Sequence, residues 1–312
     1  MGIGVTDFIS LKDVRQRIDR EYPNPGNHVE EDICVEHEAY NHTLLGNAFD
    51  YLTRFWLETK CREIYEPEPL IPSWALPESD SDLNSLILVD EEEYSALTRA
   101  ARKKEMFVRT QMNAADAVDA ALVLAGVDLD IGDSGSEIEA NSFEDDVVSE
   151  LQELFHLFRE QDALLGDTVI LGPDFGTRSY ILEGHGDFII DNTLIDVKTT
   201  EDPSFKPSYW RQLLAYYVLN DIHRELLDDP DAAEIPYPVL HEVGIYFARY
   251  GVVKTIDVNT VFDSDDEYKR FRAWFVDRAI EENHDGRVNY DETRELLTEP
   301  YDFDEQQTLF DY

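Results

Sequence analysis

The sequence predicts an α/β protein with a mixed central sheet flanked by helices and an N-terminal helical region. Three observations carry that expectation. From Ser142 onward the hydrophobic pattern changes period in the order helix, three strands, helix, strand. Within it, two apolar β-branched runs flank Asp191-Asn192, a pair of turn formers, so residues 184–200 read as a β-hairpin closed by a two-residue loop. Ahead of it, residues 44–57 form a strongly apolar helical stretch, and 43% apolar content in a chain of 312 residues is ample for a core.

Residues 1–42 are an N-terminal extension, with a short helical pattern at 11–18 and a break at Tyr22-Pro23-Asn24-Pro25-Gly26. The main domain is expected over 43–280. A loop at 67–77, helices at 90–109 and 113–125, and an acidic Gly/Ser-containing linker at 128–141 make a helical insertion over about 65–140. Arg99, Arg102, Lys103, Lys104 and Arg109 form a basic cluster on the first of these helices, either a solvated face or a contact for backbone phosphates. Ser142-Phe143-Glu144-Asp145 starts the next helix, continued by Val147, Leu151, Leu154, Phe155 and Phe158. Strands are expected at 168–171 and 179–182 before the hairpin. A helix over 207–227, a closing hairpin at 243–247 and 252–258, and a helix over 266–280 follow. Residues 281–312 are an acidic tail.

The hairpin register places the chemistry. With Ile190 facing Thr193, Asp187 lies opposite Asp196, their Cβ atoms about 4.5–5.5 Å apart. Lys198, two residues on, projects from the same face as Asp196. Like charges directly across a ladder destabilise a sheet, so this pair calls for a cation, and a divalent metal would supply it. Glu150 lies three residues after Val147 and four before Leu154, on or beside the buried stripe of its helix. Gln212 and Tyr216, four apart on the following helix, share one face, which turns either to the site or to the core. Cys34 and Cys61 form no C-x-x-C pair, so neither a disulfide framework nor a zinc or iron–sulfur site is indicated.

Asp187 followed by Asp196-Val197-Lys198 resembles the PD-(D/E)XK nuclease signature, and Gln212-Leu213-Leu214-Ala215-Tyr216 resembles the Q-x-x-x-Y motif of its RecB-like branch. Gly46-x-x-x-Asp50 is similar to that branch's G-x-x-x-H helix, with Asp in place of the metal-ligating His. Asp50 is also four residues before Arg54, the spacing of a helical ion pair. The resemblance covers residues 142–258 well and 43–60 weakly. It implies an αβββαβ nuclease core that hydrolyses phosphodiesters of nucleic acid, with DNA the expected substrate. It further implies magnesium or manganese (Mg2+ or Mn2+) held by Asp187, Asp196 and either Glu150 or Asp50. Lys198 would orient the attacking water, and Glu150, Gln212 and Tyr216 complete the implied catalytic set. Two other readings compete: a catalytically silent nuclease-like binding module, and an acidic nucleic-acid mimic acting on a DNA-handling partner.

The formal charge is −42, from 26 basic and 68 acidic residues, and 8 of the basic residues are Lys against 18 Arg. Acidity spread over a chain of normal apolar content points to a cytoplasm of molar salt, as in an extreme halophile, rather than to a disordered tail. No apolar run approaches the roughly 20 residues of a membrane span, and the opening residues lack a basic start followed by an apolar core. A cytoplasmic location without membrane association is therefore expected. Near the end, Gln306, Leu309 and Tyr312 resemble the box by which replication and repair enzymes dock on the sliding clamp, one helical turn placing Leu309 and Tyr312 on a common face. On that expectation, deleting residues 306–312 abolishes co-elution with the clamp and spares cleavage of short oligonucleotides; a full-length chain silent toward the clamp in calorimetry removes it. The charge carries a second prediction. At about 1 M salt the Debye length is only about 3 Å, so repulsion from a polyanion is screened and cleavage should rise into molar potassium chloride. An optimum near about 0.1 M with inhibition above it would contradict this.

Overall fold

The computed structural model describes residues 3–26, 28–37, 39–67, 91–132, 143–176, 181–226 and 235–282. Helices α1 (Val5–Ser10), α2 (Lys12–Glu21) and α3 (His42–Lys60) precede a short strand, β1 (Glu63–Tyr65). Helices α4 (Glu91–Thr110), α5 (Ala114–Gly132) and α6 (Asp145–Arg159) lead into β2 (Thr168–Leu171), β3 (Phe188–Ile190) and β4 (Thr193–Lys198). Then come α7 (Pro207–Glu225), β5 (Glu242–Phe247), β6 (Val252–Asp257) and α8 (Asp265–Glu282). The strands form one six-stranded sheet in chain order. β2, β3 and β4 are an antiparallel meander, α7 crosses over so that β5 runs parallel to β4, β6 returns antiparallel, and β1 lies parallel to β2. The succession α6, β2, β3, β4, α7, β5 is thus helix, three strands, helix, strand.

Strand alternation divides the core in two. Val169, Leu171, Phe188, Ile190, Ile195 and Tyr246 pack beneath α3, α4, α5 and α6. Ile170, Ile189, Leu194, Val243, Ile245 and Phe247 pack on the other face with α1, α2, α7 and α8. The N-terminal extension is built into this second layer: Phe8 meets Phe275 edge-on at 5.1 Å, and Trp210 Nε1 donates to Tyr22 O at 2.9 Å. With both faces of the inner strands covered, β2, β3 and β5 are buried almost throughout and read as apolar runs.

Some elements differ from expectation. No strand forms at 179–182: Ser179 and Tyr180 lie outside the described residues, while Ile181 and Leu182 are buried core residues of a loop. That loop joins the fold through isolated bridges of Gly4 with Glu183 and Asp174 with His185. Helix α5 runs to Gly132, past the expected end, because Val127 and Leu129 continue its apolar contacts. Most of the expected loop at 67–77 and linker at 128–141 fall outside the described residues, as do the tail beyond Glu282 and with it Gln306, Leu309 and Tyr312. Among the described residues no helix is long and apolar enough to cross a membrane.

Candidate active site

The centre begins with the β3–β4 hairpin. Asp191 takes a positive φ of 48° in the two-residue loop, a conformation Asp tolerates, and its Oδ1 accepts from the amides of Asp167 and Thr168 at 3.1 and 3.0 Å. The ladder then pairs Ile190 with Thr193, Ile189 with Leu194 and Phe188 with Ile195. One step further along this register stand Asp187 and Asp196. Asp187 Oδ2 accepts from the Val197 amide at 2.5 Å. Asp196 is 5% exposed, and its Oδ2 lies 2.5 Å from Lys198 Nζ. Asp196 is paired in the sheet with Ile245 and Lys198 with Phe247, so both project toward the layer that contains α7. There Lys198 Nζ sits 5.1 Å from the ring centre of Tyr209. Tyr216 on the same helix is buried, and Gln212 Nε2 donates to its hydroxyl at 3.0 Å.

Helix α3 reaches the same place from the opposite layer. Gly46 faces Thr199, the residue after Lys198: a Cβ there would stand 3.7 Å from Thr199 Oγ1. One turn on, Asp50 Oδ2 pairs with Arg54 Nη2 at 2.8 Å. The Arg54 guanidinium lies over Gly172, whose φ is +58° and whose missing Cβ would come within 2.6 Å of Arg54 Nη1. Gly172 N donates to Asp187 O at 2.9 Å, closing the circuit back to β3. Asp50 therefore has the helical ion pair its spacing allows, and it also stands in the field of the strand aspartates.

The electrostatics follow from crowding three carboxylates. Burial pushes the Asp196 carboxyl up to about 7; Lys198 opposes the shift, and the charges of Asp187 and Asp50 add to it. Burial raises Asp50 to about 6, against Arg54 and with Asp187. For Lys198, burial would lower the ammonium, but Asp196 and Asp187 outweigh it and hold it above its ordinary value. Tyr216 is raised by burial, with smaller contributions from Asp196 and Asp187, and stays protonated.

Among the described residues Asp50 Oδ1 is buried and receives no hydrogen bond, while Asp196 Oδ2 is buried against the Lys198 ammonium. An orphaned Asp50 oxygen beside further buried carboxylates is a donor chemistry that fits a hard divalent cation. Among the described residues no group of three or more His, Cys, Asp or Glu side chains is placed to hold a metal ion. The two facts are compatible for magnesium, which takes one or two carboxylates directly and retains several waters.

Glu150, expected beside the strand aspartates, is committed elsewhere. It is buried at 3% exposure, accepts from Arg249 Nη2 and from the Ala39 amide at 2.6 Å, and lies 3.1 Å from His37 Nδ1. Arg249 also donates to the carbonyls of Val35, Glu36 and Thr199. The third carboxylate acting on Asp196 is Asp50. The basic cluster of α4 is largely a paired face: Lys103 meets Asp119, Lys104 meets Glu58 at 2.7 Å, and Arg109 meets Glu105. Sequence reasoning took Arg54 as a helical partner and not as part of the centre, and it passed over His37, Tyr40 and His42, which lie in a stretch without periodicity.

No protein-family model, no curated protein and no solved structure matches this chain.

A carboxyl raised on folding stabilises fully below its unfolded value, near about 4, and that stability is lost as pH rises through the folded value. For Asp196 the window therefore runs up to about 7. In divalent-free buffer, the thermal midpoint of the wild type should fall across this window more steeply than that of Asp196→Asn. At pH 8, Mn2+ should raise the wild-type midpoint and leave that of Asp196→Asn unmoved. Parallel pH profiles and equal responses to Mn2+ would show that no cation binds at Asp196.

Proposed function

We propose that the chain is a magnesium- or manganese-dependent nuclease that hydrolyses phosphodiester bonds of nucleic acid, with DNA the expected substrate. The observation that carries this reading is the juxtaposition of Asp187, Asp196 and Lys198 on neighbouring strands, met by Asp50 from α3. It lies at the carboxyl ends of the parallel pair β4 and β5, a usual position for ligands in open α/β sheets.

Asp187 and Asp196 would hold the cation, with Asp50 adding its charge from α3, and the cation would supply Lewis-acid polarisation of a phosphoryl oxygen and lower the pKa of bound water. Lys198 enters the reaction charged, since Asp196 and Asp187 stabilise its ammonium. It is therefore poorly suited to accept a proton and well suited to orient the attacking water and offset charge growing on the phosphate. Arg54, tied to Asp50, fixes that carboxylate and adds positive charge at its back. Gln212 donates to the Tyr216 hydroxyl, which orients it as a donor toward a substrate phosphate.

The silent-module reading draws on the commitment of Glu150 to Arg249, which removes one expected ligand. Activity decides between the two. On a panel of DNA and RNA substrates in molar potassium chloride with Mg2+ or Mn2+, the wild type should cleave, and Asp196→Ala and Lys198→Ala should each lose at least about 100-fold in rate. Both variants should keep the wild-type circular dichroism spectrum. Variants that cut at the wild-type rate refute the assignment, and a wild type that binds nucleic acid without cutting it favours the silent module.

A further inference from the structure

We infer that the segment entering α3 carries a nucleobase-binding subsite, in which an unpaired base stacks on Tyr40 beside the rings of His37 and His42; this rests on the nuclease reading above. Tyr40 is 91% exposed, while its neighbour Ala39 is 1% exposed. The backbone that presents the ring is anchored on both sides. The Ala39 amide is held by Glu150, and the carbonyls of Val35 and Glu36 are held by Arg249. On the other side Asn41 caps α3, its side chain accepting from the Leu44 amide at 3.0 Å. Tyr40 is thus a solvent-exposed ring between two held stretches of backbone.

A second feature stands beside it. His37 and His42 are stacked with ring centres 4.1 Å apart and planes 30° apart. His37 is fixed from within by Glu150 and by Arg249, whose Nη2 lies 2.9 Å from its Nδ1, whereas His42 is exposed. The exposed ring of Tyr40 and the stacked rings of His37 and His42, close in sequence, offer the aromatic faces on which splayed bases stack.

The platform adjoins the carboxylate centre. Arg249 Nε donates to Thr199 O at 2.6 Å, one residue past Lys198. Along α3, Gly46 faces Thr199 midway between His42 and Asp50. Those two residues are two helical turns apart, about 12 Å. At about 3.4 Å per stacked nucleotide this is three or four nucleotides of a strand whose backbone lies at Asp50.

Charge gives the platform its purpose. A chain of net −42 in molar salt gains little from phosphate contacts, because counterion release is nearly exhausted there. The lysines of α4 are already engaged by Glu58 and Asp119. Stacking on an aromatic face is available to every base and does not depend on net charge.

The test is steady-state cleavage in molar potassium chloride with Mg2+, comparing a single-stranded oligodeoxynucleotide with one of equal length that is abasic at the third and fourth nucleotides on either side of the cleaved bond. Tyr40→Ala should raise KM on the base-bearing strand about 5- to 150-fold with kcat within about twofold, and leave KM on the abasic strand unchanged. His42→Ala should act in the same direction, and Tyr40→Phe should retain wild-type KM. If Tyr40→Ala matches the wild type, or shifts both strands equally, the subsite is overturned while the nuclease reading stands. If the wild type cleaves neither strand nor any member of the wider substrate panel, the nuclease reading falls and the subsite with it.

Discussion

Two carboxylates one step beyond the end of the β3–β4 ladder, Asp187 and Asp196, set the terms for the rest of the molecule. Like charges in that position oppose pairing, so the hairpin that carries them must be held by other means. Hydrophobic patterning cannot do it alone, because both faces of this sheet are buried and a one-residue slip would exchange Ile for Ile. The turn does it instead. Asp191 takes the left-handed conformation and ties its carboxylate to the amides of Asp167 and Thr168 on the strand approaching from the other side. With that register locked, Asp196 and Lys198 project toward α7. In the slipped register they would lie under α3 and α6, away from Tyr209 and Tyr216.

A second buried ion pair, Glu150 with Arg249, divides the labour. Such pairs add little net stability over apolar packing, yet removing one partner strands the other and costs about 3–5 kcal/mol. What this pair supplies is placement. Arg249 follows β5, Glu150 lies on α6, and the carbonyls they gather belong to the segment before α3 and to the end of β4. Four pieces of chain are joined at one point. The consequence for chemistry is that α6 contributes no carboxylate to the Asp187–Asp196 pair, and α3, carried past the end of β4 by Gly46, contributes Asp50.

The sequence was most legible where period and turn chemistry agree. Helices α3, α6 and α7 and the β3–β4 register follow from spacing and from Asp191-Asn192. β1 was not legible because its three residues are exposed, exposed and half-buried, with no alternation to detect. The apolar residues Ile181 and Leu182 imitate a strand although they pack as a loop, since burial and ladder pairing leave the same hydrophobic trace. Glu150 shows the limit clearly. Periodicity announces that it is buried, but its partner is 99 residues away, and no local pattern distinguishes Arg249 from a metal as the charge that satisfies it. Asp50 shows the reverse: the local ion pair with Arg54 and the long-range approach to Asp187 are both present, and the local one masks the other.

Extreme acidity and the buried centre have separate causes, and keeping them apart weighs on the choice of function. A protein that mimics nucleic acid must present its charge to a partner. Asp196 is 5% exposed, and the Lys198 side chain is 22% exposed and lies against its carboxylate. Burying these groups costs desolvation energy and shows nothing to a partner. Acidity on the surface is hydrated and carries no such desolvation cost. Buried acidity needs a different justification. At Asp50 it leaves an oxygen without a donor, and at both Asp50 and Asp196 burial and neighbouring carboxylates push the carboxyls upward, so that the ammonium of Lys198 and the guanidinium of Arg54 are the charges that offset them.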